Sequence, residues 1–244
     1  MEKIFLSIKL QLREPISIFF TLVFPLVMMC VMVLSYKNFS LGTDGYHFID
    51  KYVLISVGIG LIPLTVISFP ISFATKMKNN LYMRLKYFGV NTITYTFADI
   101  VSYVVLSLTS ILLNICVAKI FFNANVPNFL YLLFYIMQCE YCTITFLVFG
   151  AMMSLIITNP RVILPMGMTL LFTFYLLSGV FIQYTELPLK IRKIGEYIPW
   201  KYLMNNFYNI WTEKDLIVTQ FIQINTLWLI ILIIIVIILY KEKM

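Results

Sequence analysis

Few side chains in this sequence could do chemistry, and the most unusual of them is Glu140. It lies inside a long apolar run, beside Cys139 and close to Cys142. If that run crosses a membrane, a charge near its centre costs roughly 2.5–3.5 kcal/mol, so Glu140 is expected to face a cavity, find a partner or be protonated. Two interpretations stay open: a place in a substrate path, or a hydrogen bond to Gln138, Thr143 or a neighbouring helix.

The other reactive residues do not favour a redox site or a metal site. Cys139 and Cys142 have C-x-x-C spacing, but the interior of an apolar run is the wrong place for redox chemistry. His47 is the single histidine and has Asp44 and Asp50 nearby. These three could bind a metal, but in a short polar loop they are more commonly solvated. We therefore expect no metal in this chain.

Sequence motifs of the common enzyme classes are missing. The chain has no H-E-x-x-H, no G-x-S-x-G and no G-x-x-x-x-G-K-[ST], the motifs of zinc proteases, serine hydrolases and P-loop ATPases. We therefore predict that the chain is not an enzyme and carries no cofactor. Any energy from ATP has to come from a partner. Asp99, near the start of another apolar run, could reach interfacial water or a basic residue such as Lys86, and it is interpreted as structural.

The composition indicates which kind of protein structure holds these residues. Of 244 residues, 61% are hydrophobic and 12% are charged, about half the charged share of a soluble domain. The mean hydropathy is +0.92. A water-soluble globule is excluded, and an all-α membrane protein in the lipid bilayer is predicted. The net charge of +7 is then a topology signal, and no nucleic-acid partner is expected.

Apolar runs of membrane length recur along the chain and predict one membrane domain over residues 1–244. Residues 1–14 have the spacing of an interfacial amphipathic helix, which Pro15 stops. The first apolar run is full membrane length and has no small-residue cleavage site after it, so it is not interpreted as a signal peptide. The six predicted spans are 16–36, 52–75, 97–121, 129–157, 162–183 and 222–240.

The basic residues orient these spans. Six spans place both termini on one side of the membrane. The segment 76–96 carries four basic residues and no acid, in agreement with the Lys and Arg cluster of the N-terminal helix. Since cytoplasmic loops are enriched in Lys and Arg, we expect a multi-pass protein of the cell membrane with both termini in the cytoplasm.

The segment after the second span predicts a cytoplasmic amphipathic helix over 76–90. Its apolar residues recur at helical spacing: Met77, Leu81, Leu85 and Phe88. Arg84 lies on another face, and Gly89 is placed to end the helix. Two interpretations are equally open. The helix either anchors the loop to the membrane surface or acts as a lever that docks into another protein.

The long segment before the last span combines prolines with many aromatic residues. Pro188 and Pro199 interrupt it, and Trp200 and Tyr202 follow the second proline. Aromatic side chains prefer the headgroup level of a bilayer. We therefore expect short re-entrant or interfacial helices within 184–211, which would form an outer gate.

From Ser178 the chain reads SGVFIQYTELPLKIRKIGEYIPWKYLMNNFYNI. This stretch resembles the ABC-2 type transporter permease family, the membrane subunits of ATP-binding-cassette exporters. The pattern is Ser-Gly, a loop acid, Leu-Pro, an amphipathic run, then a second Pro followed by Tyr-Leu. The matching residues here are Ser178, Gly179, Glu186, Leu187, Pro188, Pro199, Tyr202 and Leu203. Pro15, the Pro25 of the first span and the basic loop after the second span agree in order, so the resemblance covers nearly the whole chain.

The resemblance implies a homodimer, or a heterodimer with a second permease, in which the segment 76–90 of each chain enters a groove of a separate P-loop ATPase subunit. ATP and Mg²⁺ would be held by that partner. The implied coupling residues are Met77, Leu81, Arg84, Leu85 and Phe88, of which Leu81, Leu85 and Phe88 should matter most. The implied outer gate consists of Glu186, Pro188, Pro199, Trp200 and Tyr202.

The cargo class is inferred from the outer loop and from the side chains of the spans. The first outer loop, 37–51, is too small for a docking domain, and helices rich in Phe, Met, Tyr and Ile suit a hydrophobic or amphipathic cargo such as a drug, an antimicrobial or toxin peptide, or a lipid. The alternatives are a polysaccharide or glycolipid exporter, an ATPase-independent proton-coupled carrier that uses Glu140, and a scaffold that recruits partners through 76–90. Richness in Ile, Lys and Asn fits a bacterial protein.

Overall fold

The computed structural model describes residues 8, 9, 11, 14–36, 38–41 and 45–243. Within these residues, six helices are long and apolar enough to cross a membrane. We number them span 1 to span 6 in chain order: Phe19–Tyr36, Phe48–Lys78, Thr94–Phe122, Phe129–Ile156, Pro160–Ser178 and Thr219–Lys241. Strand pairing in the described residues is limited to one isolated bridge between Ser40 and His47. The predicted all-α membrane fold with six spans is confirmed.

Some boundaries differ from the predicted ones. Span 2 begins at Phe48 rather than at 52, because Asp50 completes its first turn by accepting a 2.7 Å hydrogen bond from the His47 backbone N–H. Span 5 ends at Ser178 rather than at 183, because Gly179 takes a left-handed conformation with φ +83° and so ends the helix. The interfacial helix predicted at 1–14 falls largely outside the described residues.

Span 2 is the centre of the bundle. In its most apolar window 94% of the residues are buried, against 11% for span 6. Glycines allow its neighbours to approach closely: a Cβ added at Gly150 of span 4 would lie 2.6 Å from the Thr65 carbonyl oxygen, and one added at Gly167 of span 5 would lie 2.6 Å from the Val66 carbonyl oxygen. Small residues at helix contacts serve this purpose in membranes. Span 2 is therefore tightly held by spans 4 and 5.

A wide π-helical turn, Leu64–Ser68, interrupts span 2 at its middle. It lies between Pro63 and Pro70, and each proline removes one backbone N–H donor and crowds the carbonyl of the preceding turn. The Ser154 hydroxyl donates a 2.9 Å hydrogen bond to the Pro70 carbonyl. The prolines thus account for the change of helical pitch, and a neighbouring span supplies a polar contact to the distorted region.

The connecting segments gather at two ends of the bundle. One end, which we call the terminal end, holds the last residues of span 6. There Tyr240 and Lys241 share a cleft with Met77 and Lys86. The other end, which we call the loop end, comprises residues 38–41, 45–47, 123–128 and 179–218. Side chains of these segments make hydrogen bonds to one another. Asn125 Nδ2 donates to the Gly45 carbonyl at 3.0 Å, and Asn128 Nδ2 donates to the Glu213 carboxylate at 2.8 Å.

Candidate coupling and gating sites

The segment predicted as one helix over 76–90 forms two helical pieces. Span 2 continues through Lys78, and a separate linker helix spans Leu81–Tyr87. Between them Asn80 takes a left-handed conformation with φ 54°, which asparagine tolerates better than most residues. The linker helix ends before Gly89, which has φ +70°. Met77 therefore belongs to the last turn of span 2 and not to the linker helix.

The side chains of the linker helix differ in their exposure. Leu81 and Leu85 are half-buried. The outward apolar side chains are Met83, Tyr87 and Phe88, which are 63%, 88% and 83% exposed. We call these three the exposed patch. Of the three residues predicted to matter most, Phe88 belongs to the exposed patch, whereas Leu81 and Leu85 are half-buried. Their role in docking stays a prediction. Arg84 is exposed beside the patch.

The linker helix is anchored through Tyr82, which is 6% exposed. Its ring lies 5.6 Å from that of Phe73 in span 2 and 6.3 Å, edge to face, from that of Tyr95 in span 3. Aromatic pairs at such distances contribute about 0.5–1.5 kcal/mol beyond their buried area. The linker helix is therefore packed onto both spans that it connects.

An ion pair braces the same two spans. Lys76 Nζ of span 2 donates to both carboxylate oxygens of Asp99 in span 3, each at 2.7 Å. Asp99 is 2% exposed. The structural role expected for Asp99 fits this contact, but its partner is Lys76 and not Lys86, since Lys76 lies on the last turns of span 2, next to the beginning of span 3.

A cleft of about 620 Å³ opens at the terminal end between the linker helix and span 6. The linker helix contributes Tyr82, Met83 and Lys86 to its wall. Span 6 contributes Tyr240 and Lys241. The wall is mainly apolar with a basic rim. Such a surface suits an apolar contact bordered by acidic groups.

At the loop end, the segment predicted to hold short outer helices contains two helical units. The first is the surface helix Leu189–Gly195, which follows Pro188. The second runs through 199–211 and consists of Pro199–Lys201, the wide turn Tyr202–Asn206 and Tyr208–Trp211. We call residues 199–211 the inserted segment. Pro199 begins it, as proline suits the first turn of a helix.

The inserted segment is buried among the spans. Trp200 has no exposed surface, and its ring lies 4.8 Å from that of Phe146 in span 4. Phe207 is equally buried, 4.9 Å from the Phe221 ring of span 6. On its other side the segment meets span 2, where the Met204 side chain lies directly over Gly58. The inserted segment therefore re-enters the bundle.

The five predicted gate residues separate into two groups. Pro199, Trp200 and Tyr202 are buried together in the inserted segment, whereas Glu186 and Pro188 lie exposed on the loop before it. Trp200 and Tyr202 pack as core. Pro188 precedes the surface helix, and Pro199 begins the inserted segment. The predicted gate residues therefore belong to two places: the packed inserted segment and the exposed loop before it.

Sequence reasoning missed Lys201, which lies between two of the predicted gate residues. It is 8% exposed, and its Nζ lies 4.9 Å from the centre of the Tyr184 ring and 4.3 Å from that of Tyr202. Burial lowers the pKa of Lys201. Burial also raises the pKa of Tyr184 to about 12. A lysine inside the apolar run IPWKYL was the signal that could have revealed it.

Glu140 makes a contact between spans. The Ser107 hydroxyl of span 3 lies 2.9 and 2.8 Å from its two carboxylate oxygens and donates to the carboxylate. Neither Gln138 nor Thr143 is its partner: the Gln138 amide donates to the Leu216 carbonyl at 3.0 Å, and the Thr143 hydroxyl donates to the Cys139 carbonyl at 3.0 Å. The structure thus places Glu140 in a hydrogen bond to a neighbouring span, one of its two interpretations.

The remaining polar candidates are occupied structurally. The Asp50 carboxylate accepts 2.7 Å hydrogen bonds from the backbone N–H groups of His47 and Asn125, so it joins two loops. Cys139 and Cys142 are both buried, and their thiols are free. Asp44 lies outside the described residues. Across the part of the chain that the structure describes, His, Cys, Asp and Glu form no cluster of three that could hold a metal.

Comparison with known proteins bears on the identity of this membrane domain. A search of curated proteins and a search of solved structures each gave no match. The family model of the ABC-2 type transporter matches residues 5–212, which include the first five spans, the linker helix and the inserted segment. The chain therefore belongs to the ABC-2 type transporter family, as a membrane permease.

Proposed function

We propose that this chain is the membrane subunit of an ABC exporter that moves a hydrophobic or amphipathic cargo, such as a drug, a peptide or a lipid, out of the cell. A separate P-loop ATPase subunit would bind ATP and Mg²⁺, and this chain would hydrolyse nothing itself. The observation that carries the proposal is the exposed patch on the linker helix. Three large apolar side chains there face away from a helix that is anchored on its other side.

The surroundings of the patch support a docking role. Met83, Tyr87 and Phe88 are more exposed than most aromatic and apolar residues of the chain, and they lie among the basic residues Arg84 and Lys86. Apolar anchors with a charged rim are typical of protein contacts. A membrane-surface helix, the alternative, would place the same patch in lipid.

Coupling requires that a push on the linker helix reaches the spans. Tyr82 packs against Phe73 of span 2, and the ion pair between Lys76 and Asp99 joins spans 2 and 3 close to that contact. Suppose that the linker helix can take two placements and that a partner binds one of them more tightly. Binding of the partner would then shift the cytoplasmic ends of both spans. Span 2 in turn contacts the inserted segment, which we propose is the outer gate.

We propose that the terminal end faces the cytoplasm of a bacterial cell and that two permease subunits, identical or different, form the transport unit. The basic residues at that end support this orientation: Lys76, Lys78, Arg84, Lys86 and Lys241. Cytoplasmic loops carry such an excess. The inserted segment would then lie toward the outer leaflet.

The test is capture of the ATPase from the native host in mild detergent. Tagged wild-type chain is compared with Tyr87→Asp and Phe88→Asp, which place a charge in the exposed patch without opening the core. Tyr197→Asp is the matched control, because Tyr197 is a 72% exposed aromatic residue at the loop end.

We expect a P-loop ATPase to copurify with the wild type and with Tyr197→Asp, and to be lost from both patch variants. If it copurifies equally with the patch variants, the linker helix is not the docking element. If no ATPase copurifies with the wild type under conditions that preserve known transporter complexes, the exporter proposal fails. A carrier that uses Glu140 would then be tested by Glu140→Gln.

A further inference from the structure

A second cleft, of about 430 Å³, opens at the loop end, and its charged lining is entirely basic. Lys51 of span 2 and Lys201 of the inserted segment contribute to its wall, together with amide side chains that include Asn206 and Asn209. No carboxylate is among the described residues that line it. The cleft thus combines two cations with neutral groups, of which the Asn209 amide already donates to the Asp215 carboxylate at 3.1 Å.

Lys201 is held in this cleft by a built arrangement. Its ammonium lies against the faces of Tyr184 and Tyr202, and both rings are fixed by their hydroxyls. The Tyr184 hydroxyl donates to the Arg192 carbonyl at 2.7 Å, and the Tyr202 hydroxyl donates to the Glu196 carbonyl at 2.9 Å. Two carbonyls of one turn therefore set the positions of both rings around the amine.

The backbone around Lys201 is fixed as well. The Asn205 amide donates to the Lys201 carbonyl at 3.0 Å and to the Ser178 carbonyl at the end of span 5 at 2.8 Å. Gly195 allows the Tyr184 ring to approach, because a Cβ there would lie 3.1 Å from the ring. Replacement of Gly195 by a larger residue would displace one wall of the arrangement.

The amine itself lacks a carboxylate partner among the described residues, whose one ion pair is that of Lys76 and Asp99. The two rings satisfy its charge in part, since the face of an aromatic ring attracts a cation. Burial lowers the pKa of Lys201, Glu196 nearby opposes that change, and Arg192 adds to it. A lysine that is 8% exposed as a whole residue, and whose ammonium forms no ion pair among the described residues, therefore lines a cleft that also contains a second cation.

We propose that this cleft is a binding site for an oxyanion of the phosphate class, held by Lys201 and Lys51. A charge-assisted hydrogen bond from the Lys201 ammonium is the main contact. The group is carried either by a lipid or amphipathic cargo, as a phosphodiester, or by free phosphate. That the cleft opens toward the outer leaflet rests on the orientation proposed above, but the binding itself does not.

The test uses the purified permease in phosphatidylcholine nanodiscs, without any ATPase, and follows soluble probes by NMR line broadening. The probes are glycerophosphoglycerol, which is a lipid headgroup without chains, inorganic phosphate, and uncharged glycerol. Lys201→Met removes the cation and keeps the chain length. Lys201→Arg keeps the charge, and Lys190→Met removes an exposed lysine of the same loop end as the matched control.

We expect at least one phosphate probe to bind and glycerol not to bind. Lys201→Met should weaken binding roughly tenfold or more, whereas Lys201→Arg and Lys190→Met should stay near the wild type. Tighter binding of glycerophosphoglycerol assigns the site to a lipid-type phosphodiester, and tighter binding of inorganic phosphate assigns it to the free ion.

Unchanged phosphate binding in Lys201→Met overturns the proposal, as does phosphate binding no stronger than that of glycerol. Size-exclusion elution and the melting midpoint report whether Lys201→Met has folded. If it has not, Lys51→Met is the second variant, and binding equal to the wild type in that variant again overturns the proposal. Since no ATPase takes part, these outcomes are independent of the capture experiment.

Discussion

Replacing Lys76 with methionine leaves the Asp99 carboxylate without the ammonium that both of its oxygens share. Each oxygen accepts a 2.7 Å hydrogen bond from Lys76 Nζ, and the Asp99 side chain is 4% exposed. Removing one partner of a buried ion pair costs about 3–5 kcal/mol, because the other charge stays buried. We therefore expect a loss of about 3 kcal/mol in the free energy of unfolding.

The reciprocal change, Asp99→Asn, should cost less. The Lys76 side chain is 19% exposed, and a lysine stem can carry its ammonium to interfacial water. We expect a loss of about 1–2 kcal/mol from the missing charge-assisted hydrogen bonds. The double variant removes both charges, so the two losses should not add, and the coupling between the positions should be about 1–2 kcal/mol.

Unfolding by SDS in mixed micelles, followed by circular dichroism, measures the free energy of unfolding for the wild type, the two single variants and the double variant. Lys78→Met is the matched control, because Lys78 is exposed on the same helical turn, and it should change little. Equal losses from the two single variants, or strict additivity in the double variant, would refute the reasoning that burial of Asp99 dominates.

Four further substitutions test other contacts. Gly150→Val should destabilise the bundle by about 1–3 kcal/mol in the same unfolding assay, because a Cβ at this position would lie 2.6 Å from the Thr65 carbonyl. Leu85→Asp should reduce the yield of folded protein, whereas Tyr87→Asp should leave the melting midpoint near that of the wild type, since Leu85 is half-buried and Tyr87 is 88% exposed. Glu140→Gln should leave transport intact and ATP depletion should stop it; the reverse result would favour a proton-coupled carrier.

The spans were predictable because their signal is summed over about twenty residues. A run of apolar side chains of membrane length leaves few alternatives to a helix. Boundaries were less predictable, since each depends on one local interaction. Asp50 starts span 2 early through its bond to the His47 backbone, and Gly179 ends span 5 early through its left-handed conformation.

The sites were less predictable than the spans because each site depends on the helical phase of its residues and on which side chains they contact. A single left-handed residue, Asn80, breaks the helical spacing after Met77, so Met77 and the linker helix do not share one continuous helical face. The partner of Asp99 depends on how two spans pack, which residue spacing does not contain. Lys201 could have been singled out without predicting its contacts, because it is a cation within an apolar and aromatic run.

The central position of span 2 limits how any movement can cross this molecule. Its terminal end carries the linker helix, and beyond the wide turn Leu64–Ser68 it meets the inserted segment, where Met204 lies over Gly58. The carbonyls of that same turn are in close contact with spans 4 and 5. Tightly packed interiors shift between discrete arrangements rather than deform gradually. Displacement of span 2 at its terminal end therefore has to be shared with spans 4 and 5 before it reaches the inserted segment.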